Sequence, residues 1–214
     1  VQAVCAGFVY GLSVADSLIR SGLAYRAGDR RGDLLAHPGL EDRGTCVLFG
    51  DGAGAIVLRA EQGTGTPRGP RHPRQRTAFR RPPPRYTLCR RRSVLDRSTG
   101  FLRMEGKEVF KHAVVNMAAV VGEVLEKAGT QAKDIDWLVP HQANKRIIDG
   151  TGRKLGLPPE RVVVTVDKHA NTSAASIPLA LDVAVKDGRI KRGDLLLLEG
   201  IGGGLSWGAS LVRW

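Results

Sequence analysis

Three short stretches set a chemically capable residue among small neighbours: Cys5 in VCAGF, His141 in VPHQAN and Asn171 in HANTSAAS. A thiol, an imidazole and a carboxamide together make a nucleophilic site, in which the sulfur attacks and the other two hold or move charge. Cys5 leads into an apolar three-and-four spacing, so it is expected at a helix N-terminus, where the positive end of the dipole favours thiolate. Ala6 and Gly7 leave space for a substrate beside it. His141 follows Pro140 at the end of an apolar run, a strand end from which the ring can face a cleft. Taken singly, Cys5 also fits a buried core thiol, His141 a capping or core imidazole, and Asn171, followed by Thr172 and Ser173, a helix N-cap. The glycines 202–204 suit either a tight turn or a close approach of backbone N–H groups to a reacting carbonyl.

The elements that must position these residues can be read from periodicity. Residues 2–5 read as the end of a strand, and Phe8, Leu12, Ala15, Leu18 and Ile19 as one face of a helix. Two apolar runs, 46–49 and 55–58, read as strands joined by the turn GDGAG. Phe110, Val114, Met117, Val121, Val124 and Ala128 form a helical stripe. Strands are expected at 137–139, 162–166, 195–200 and 210–214, with helices over HQANKRIID and 176–185. Strands alternating with helices predict an α/β fold.

The chain has 214 residues, a formal charge of +12 and three Cys. Cys5, Cys46 and Cys89 lack the paired spacings of a zinc site and are too few for a disulfide framework. No run approaches the ~18 apolar residues of a membrane span, so a cytoplasmic protein is expected. The charge is not spread evenly: residues 63–92 hold ten Arg, six Pro, and no Lys or acid. So apolar-poor a segment cannot offset its ordering entropy, and 61–100 is expected to be a loop or disordered linker. An RNA-binding arm is the sharper alternative, with only two aromatics for stacking. Residues 26–39, RAGDRRGDLLAHPG, likewise suit no buried strand.

A papain-like hydrolase shares the order Cys, His, Asn, but its local signature around the nucleophile is missing. Six longer stretches point elsewhere: QAVCAGFVYGLSVADSLIRSG, EDRGTCVLFGDGAGAIVL, GKEVFKHAV, DWLVPHQANKRIID, VDKHANTSAASIPLALD and LLLLEGIGGGLSWGASLVRW. They resemble bacterial β-ketoacyl-acyl carrier protein synthase III over 1–25, 41–60 and 101–214. The resemblance implies a thiolase fold of α-β-α-β-α layers working as a homodimer. Its reaction would be the initiating condensation of fatty acid synthesis, a decarboxylative Claisen step joining a short acyl-CoA to malonyl-acyl carrier protein. It implies Cys5 as the acylated nucleophile, His141 and Asn171 as donors to the malonyl thioester carbonyl, and the N–H groups of Cys5 and Gly203 as the oxyanion hole. By the same resemblance Arg43 meets the coenzyme A nucleotide, Gly106, Phe110 and Asn144 border its pantetheine arm, and Arg146 docks the carrier protein. No metal or redox cofactor is implied.

The resemblance also divides the chain into the remainder of a first half (1–60), the Arg/Pro-rich interval (61–100) and a second half (101–214). It implies that sequence ahead of the nucleophile is missing, and that 26–40 and 61–100 depart from the family while the register on either side is kept. Compensating frameshifts would produce that pattern. A domain is stable by only ~5–15 kcal/mol, so weak or no activity is expected of the chain as written.

Overall fold

The leucine run becomes the centre of a three-stranded sheet. The structure, a computed structural model, describes residues 3–24, 26–31, 42–60, 87–91, 99–104, 106–203 and 205–214. Numbered in chain order, the strands are β1 (Arg26–Arg31), β2 (Gly54–Arg59), β3 (Thr87–Arg91), β4 (Thr99–Met104), β5 (Trp137–Pro140), β6 (Leu195–Gly202) and β7 (Ser206–Arg213). The helices are α1 (Gly7–Arg20), α2 (Arg43–Cys46), α3 (Gly106–Ala128), α4 (Lys145–Lys154), α5 (Val166–His169) and α6 (Ser176–Lys186). β6 lies between β5, parallel to it, and β7, antiparallel, and every residue of β6 is buried.

Both faces of this sheet are covered, which is why β6 reads as a continuous apolar run and not as an alternating one. Leu196 and Leu198 meet Phe8, Val9 and Leu12 of α1 and Ile177, Ala180 and Leu181 of α6. Leu195, Leu197 and Ile201 face Met117, Val121 and Val124 of α3 and Ile147 and Ile148 of α4. Each such fully buried aliphatic side chain contributes about 1.5–3 kcal/mol. β2 adds Ile56 and Leu58 to the α1/α6 cluster, so a second sheet lies on those helices. The expected α/β layering is therefore present.

Several expectations need correction. Cys5 does not end a strand: Val4–Ala6 form a 3-10 turn that runs into α1. The run 46–49 is no strand either, because the Asp42 carboxylate accepts from the Gly44 N–H (3.2 Å) and the Thr45 hydroxyl (2.8 Å) and so starts α2. Within 162–166 only Val162 bridges to β5, and the Thr165 N–H is captured by the Gln142 side chain (2.8 Å) instead of a strand partner. Of residues 26–39, which suit no buried strand by composition, 26–31 do form a strand, antiparallel to β2, and 32–39 lie outside the described residues. Backbone pairing asks nothing of side-chain polarity, and outward-facing Val57 of β2 is itself 77% exposed. The interval 61–100 carries strand at Thr87–Arg91 and from Thr99 onward, and 61–86 and 92–98, with most of the arginines, lie outside the described residues. In α3 the buried stripe is Ala113, Met117, Val120, Val121, Val124 and Leu125, leaving Phe110 and Ala128 exposed.

Candidate active site

Cys5 sits in the 3-10 turn just ahead of α1 and is buried. Two contacts fix that turn against the β6–β7 hairpin. The Ser206 hydroxyl donates to the Ala3 carbonyl (3.2 Å), and the Tyr10 hydroxyl on α1 donates to the Trp207 carbonyl (3.4 Å). Gly200 and Gly202 let the two segments touch. A Cβ at Gly200 would meet the Cys5 carbonyl oxygen at 3.2 Å and the His141 Cβ at 3.7 Å, and one at Gly202 would overlap the Ala3 carbonyl oxygen. Gly203 is half-buried in the hairpin loop next to this contact.

His141 is the first residue past β5. Its N–H prolongs the ladder onto the Glu199 carbonyl (2.7 Å), and the fully buried Gln142 braces the chain on either side. The Gln142 amide donates to the Pro140 and Val163 carbonyls (2.9 and 3.1 Å) and accepts from Thr165 N–H. Asn171 stands off the sheet. Its backbone is clasped by the segment after α2: Asn171 N–H donates to the Leu48 carbonyl (2.8 Å) and Gly50 N–H donates to the Asn171 carbonyl (3.1 Å). Gly50, the first residue of the GDGAG run expected as a plain turn, supplies one half of this clasp.

A second 3-10 turn, Ser173–Ala175, together with Ser176 at the start of α6, reaches all three residues. The Ser173 hydroxyl donates to the Cys5 Sγ (3.4 Å), the Ser173 N–H donates to the Asn171 Oδ1 (3.0 Å), and the Ser176 Oγ lies 2.6 Å from the His141 Nδ1. Because Oδ1 is engaged, the Asn171 amide N–H group is left to donate elsewhere. Residues expected to act together are thus brought together. Ser173, Ser176, Gln142 and the Leu48–Gly50 clasp were missed; the hydroxyl-rich TSAAS directly after Asn171 was the available signal.

Backbone strain collects at the same place. Among the described residues the non-glycine residues with positive φ are Val4 (44°), Ala170 (57°), Ser173 (52°) and Leu205 (47°). They precede Cys5, flank Asn171 and follow the glycine run. Each such conformation costs on the order of 1–3 kcal/mol and persists only where the surroundings impose it.

The electrostatics correct one expectation. Burial pushes the Cys5 thiol up to about 11, against the Ser173 hydroxyl and a backbone hydrogen bond that favour the thiolate, so the free site holds a thiol at neutral pH. Burial likewise holds His141 down to about 4, opposed by the Ser173 carbonyl, and the ring is neutral. Burial raises Glu199 on β6 to about 8. Both its carboxylate oxygens are buried without a hydrogen-bond partner among the described residues.

The outer candidates lie on other elements. Asn144 caps α4, its Oδ1 accepting from Ile147 N–H (3.0 Å), and Arg146 is exposed two residues on. Phe110 on α3 packs beside Gly150 of α4, with Gly106 exposed one turn before it, so these four share the α3–α4 pair. Arg43 is exposed on α2. No group of three or more His, Cys, Asp or Glu among the described residues could hold a metal ion, and no helix there is long and apolar enough to cross a membrane.

Known proteins resemble this chain in both sequence and fold. Residues 1–68 match the family model for 3-oxoacyl-[acyl-carrier-protein] synthase III, and residues 125–214 match that for its C-terminal part. The β-ketoacyl-[acyl-carrier-protein] synthase III of Rhizorhabdus wittichii is 57% identical over 215 residues, covering 100% of this chain and 66% of that protein. Its namesake in Rhizobium meliloti is 54% identical over 220 residues, covering 100% and 67%. The chain therefore spans about two thirds of the length of these relatives. The solved 3-oxoacyl-(acyl carrier protein) synthase III of Pseudomonas aeruginosa superposes with a TM-score of 0.90 at 40% identity, covering 100% of this chain and 66% of that one. The Aquifex aeolicus structure gives 0.87 at 42%, with the same coverage. By sequence and by fold, the chain belongs to the β-ketoacyl-acyl carrier protein synthase III family, whose members share the thiolase fold.

Proposed function

We propose that this chain carries the condensing site of the initiating step of fatty acid synthesis, acting on a short acyl-CoA and malonyl-acyl carrier protein in the cytoplasm. The Cys5 sulfur attacks the acyl carbonyl and the bond to the coenzyme A sulfur breaks. The Cys5 proton leaves with that departing sulfur, leaving an acyl thioester on Cys5. Malonyl-acyl carrier protein then loses carbon dioxide, and the electron pair of the broken C–C bond moves onto the thioester oxygen. Donors from His141 and Asn171 hold that developing charge, which is where aimed hydrogen bonds lower a barrier most. The enolate carbon attacks the acyl-Cys5 carbonyl, whose oxyanion the N–H groups of Cys5 and Gly203 receive. Collapse expels the Cys5 sulfur as thiolate and releases 3-oxoacyl-acyl carrier protein, and uptake of one proton from solvent returns the thiol.

The outer residues take the family's roles in this reading. Arg43 contacts the coenzyme A nucleotide; Gly106, Phe110 and Asn144 line the approach of the pantetheine arm; and Arg146 offers a cation to the acidic carrier protein. No cofactor takes part, and the active assembly is a homodimer. The domain division at 60 and 100 is part of the same proposal, as is a compensating-frameshift origin for 26–40 and 61–100. Alignment of the whole chain over 215 residues at 57% identity supports kept register across both intervals. Resequencing the gene decides that point.

The observation that carries the proposal is the turn beginning at Ser173, which together with Ser176 touches the thiol, the carboxamide and the imidazole at once. The test is radiolabelled acetyl-CoA. Slow label confined to Cys5, absent from Cys5→Ala and discharged by malonyl-acyl carrier protein, is expected. Label elsewhere, or none at saturating acetyl-CoA, overturns the assignment.

A further inference from the structure

A neutral imidazole has one ring N–H, and which nitrogen bears it decides whether His141 can donate to a reacting oxygen. The Ser176 hydroxyl is placed to make that choice. Its Oγ already accepts the Gln142 N–H (3.2 Å), and it has one proton to give. Two acceptors compete for it: the Ser173 carbonyl at 2.8 Å and His141 Nδ1 at 2.6 Å. If the proton points to Ser173, Nδ1 must carry the ring hydrogen and Nε2 presents a bare lone pair. If it points to Nδ1, the ring hydrogen is on Nε2. Ser176 and His141 are 1% and 4% exposed, so bulk water is poorly placed to take over either contact.

We propose that Ser176 is a positioning residue that fixes His141 as the Nε2–H tautomer, through a hydrogen bond from its hydroxyl to Nδ1. The Ser173 carbonyl already accepts the Ser176 backbone N–H, which leaves the hydroxyl proton to the ring. The partner carboxamide is oriented by a backbone donor, since Ser173 N–H occupies Asn171 Oδ1 and leaves the amide hydrogens to donate elsewhere. Ser173 through its N–H and Ser176 through its hydroxyl thus turn both polar side chains to their donor ends before any substrate arrives. A consequence is that His141 is no base toward Cys5, because Nε2 has no free lone pair. The thiol proton leaves with the coenzyme A sulfur instead.

The use made of this tautomer rests on the proposed condensing reaction, but its existence does not. The full chain, labelled with 15N-histidine, is examined by two-bond proton–nitrogen correlation, with His141→Gln assigning the ring. The wild-type spectrum is expected to show Nδ1 as the unprotonated nitrogen and Nε2 as the protonated one. Ser176→Ala is expected to shift population to the opposite tautomer, and Ser176→Thr to restore it. A wild-type ring protonated at Nδ1 overturns the proposal whether or not the variants fold, and so does a tautomer unchanged in Ser176→Ala. Ser176→Ala should also slow malonyl decarboxylation on the order of a hundredfold or more while Cys5 acetylation changes little, since a wrongly tautomerised imidazole can cost about 10⁴ in kcat. An Nε2–H ring in a chain that never acetylates Cys5 would leave this inference standing and remove the functional reading; the converse result would do the reverse.

Discussion

His141 and Asn171 reach one site by opposite means. His141 prolongs a buried strand: a ladder bond to Glu199 and the Gln142 side chain hold it, and Leu138, Val139 and Leu198 fill the space around them. Asn171 has no strand of its own. It hangs between two residues in left-handed backbone, Ala170 and Ser173, and is clasped by Leu48 and Gly50 from a segment more than a hundred residues away in sequence. The first arrangement is secured by burial and the second by a few backbone contacts that must outweigh strain. The His141 side should therefore respond to changes in buried charge, and the Asn171 side to changes of a single methyl group.

The largest effect is expected on the His141 side, at Glu199. Its carboxyl is raised to about 8 in the fold, so the neutral acid suits the interior and the anion does not. The associated stability is full below the ordinary carboxylate range and is lost as pH rises toward 8. His141 works in the other direction: held down to about 4, it lends stability above its ordinary value of 6.5 that fades as pH falls. Between pH 6.5 and 8 the His141 contribution rises by only a few tenths of a kcal/mol, as the last unfolded imidazolium is lost, and Glu199 dominates. Wild-type stability should fall there by about 1.5 kcal/mol, the ~1.4 kcal/mol per pH unit flattening as Glu199 titrates near 8. In Glu199→Gln, denaturant unfolding across that window should be nearly flat. A wild-type chain as stable at pH 8 as at 6.5 would mean that the carboxylate has found a partner.

Next comes Gly50→Ala, aimed at the clasp. A Cβ there would lie 2.8 Å from the His169 carbonyl oxygen and 3.2 Å from the Ala170 Cβ. The first neighbour is backbone and cannot swing aside, so the segment must move away from Asn171 and stretch both bonds that hold it. Overpacking of this kind costs about 1–2 kcal/mol. Unfolding midpoints should drop accordingly, and malonyl decarboxylation should drop further, while the His141 ring signals stay where they are. Loss of the His141 signals as well would show that the two sides are not independent.

The same contrast explains which parts were legible in the sequence. The His141 side was readable: LLLLEG and the β5 run advertise a strand buried on both faces, and Pro140 marks its end. The three-layer packing is implied by those runs together with the α1, α3 and α6 stripes. On the Asn171 side the reading ran out. The β-branched run 162–166 promised a strand, but Gln142, distant in sequence, takes the Thr165 N–H and the chain turns into α5 instead. GDGAG looked like a hairpin turn, because nothing local says that its glycines are needed for contact with α6 and with His169. Gly54, for example, leaves no room for a Cβ beside Pro178, 2.6 Å away. The thiol expected to be activated by a helix N-terminus is instead held protonated by burial, a property of neighbours that no local spacing reveals.

The smallest expected effect is also the most direct test of strain on the Asn171 side. Ala170 adopts φ 57°, ψ −162°, a region that residues other than glycine enter at a cost of about 1–3 kcal/mol. Glycine occupies it freely but brings a looser unfolded chain, which takes back about 0.5–1 kcal/mol. Ala170→Gly should therefore stabilise the fold by about 1 kcal/mol, an unusual sign for a substitution that only deletes atoms. The same change releases the backbone that aims Asn171, so decarboxylation should weaken as the melting temperature rises, while acetylation of Cys5, which needs no help from the carboxamide, holds steady. If Ala170→Gly lowers stability, the left-handed turn is not strained, and the contrast between a site half secured by burial and half held against backbone strain fails with it.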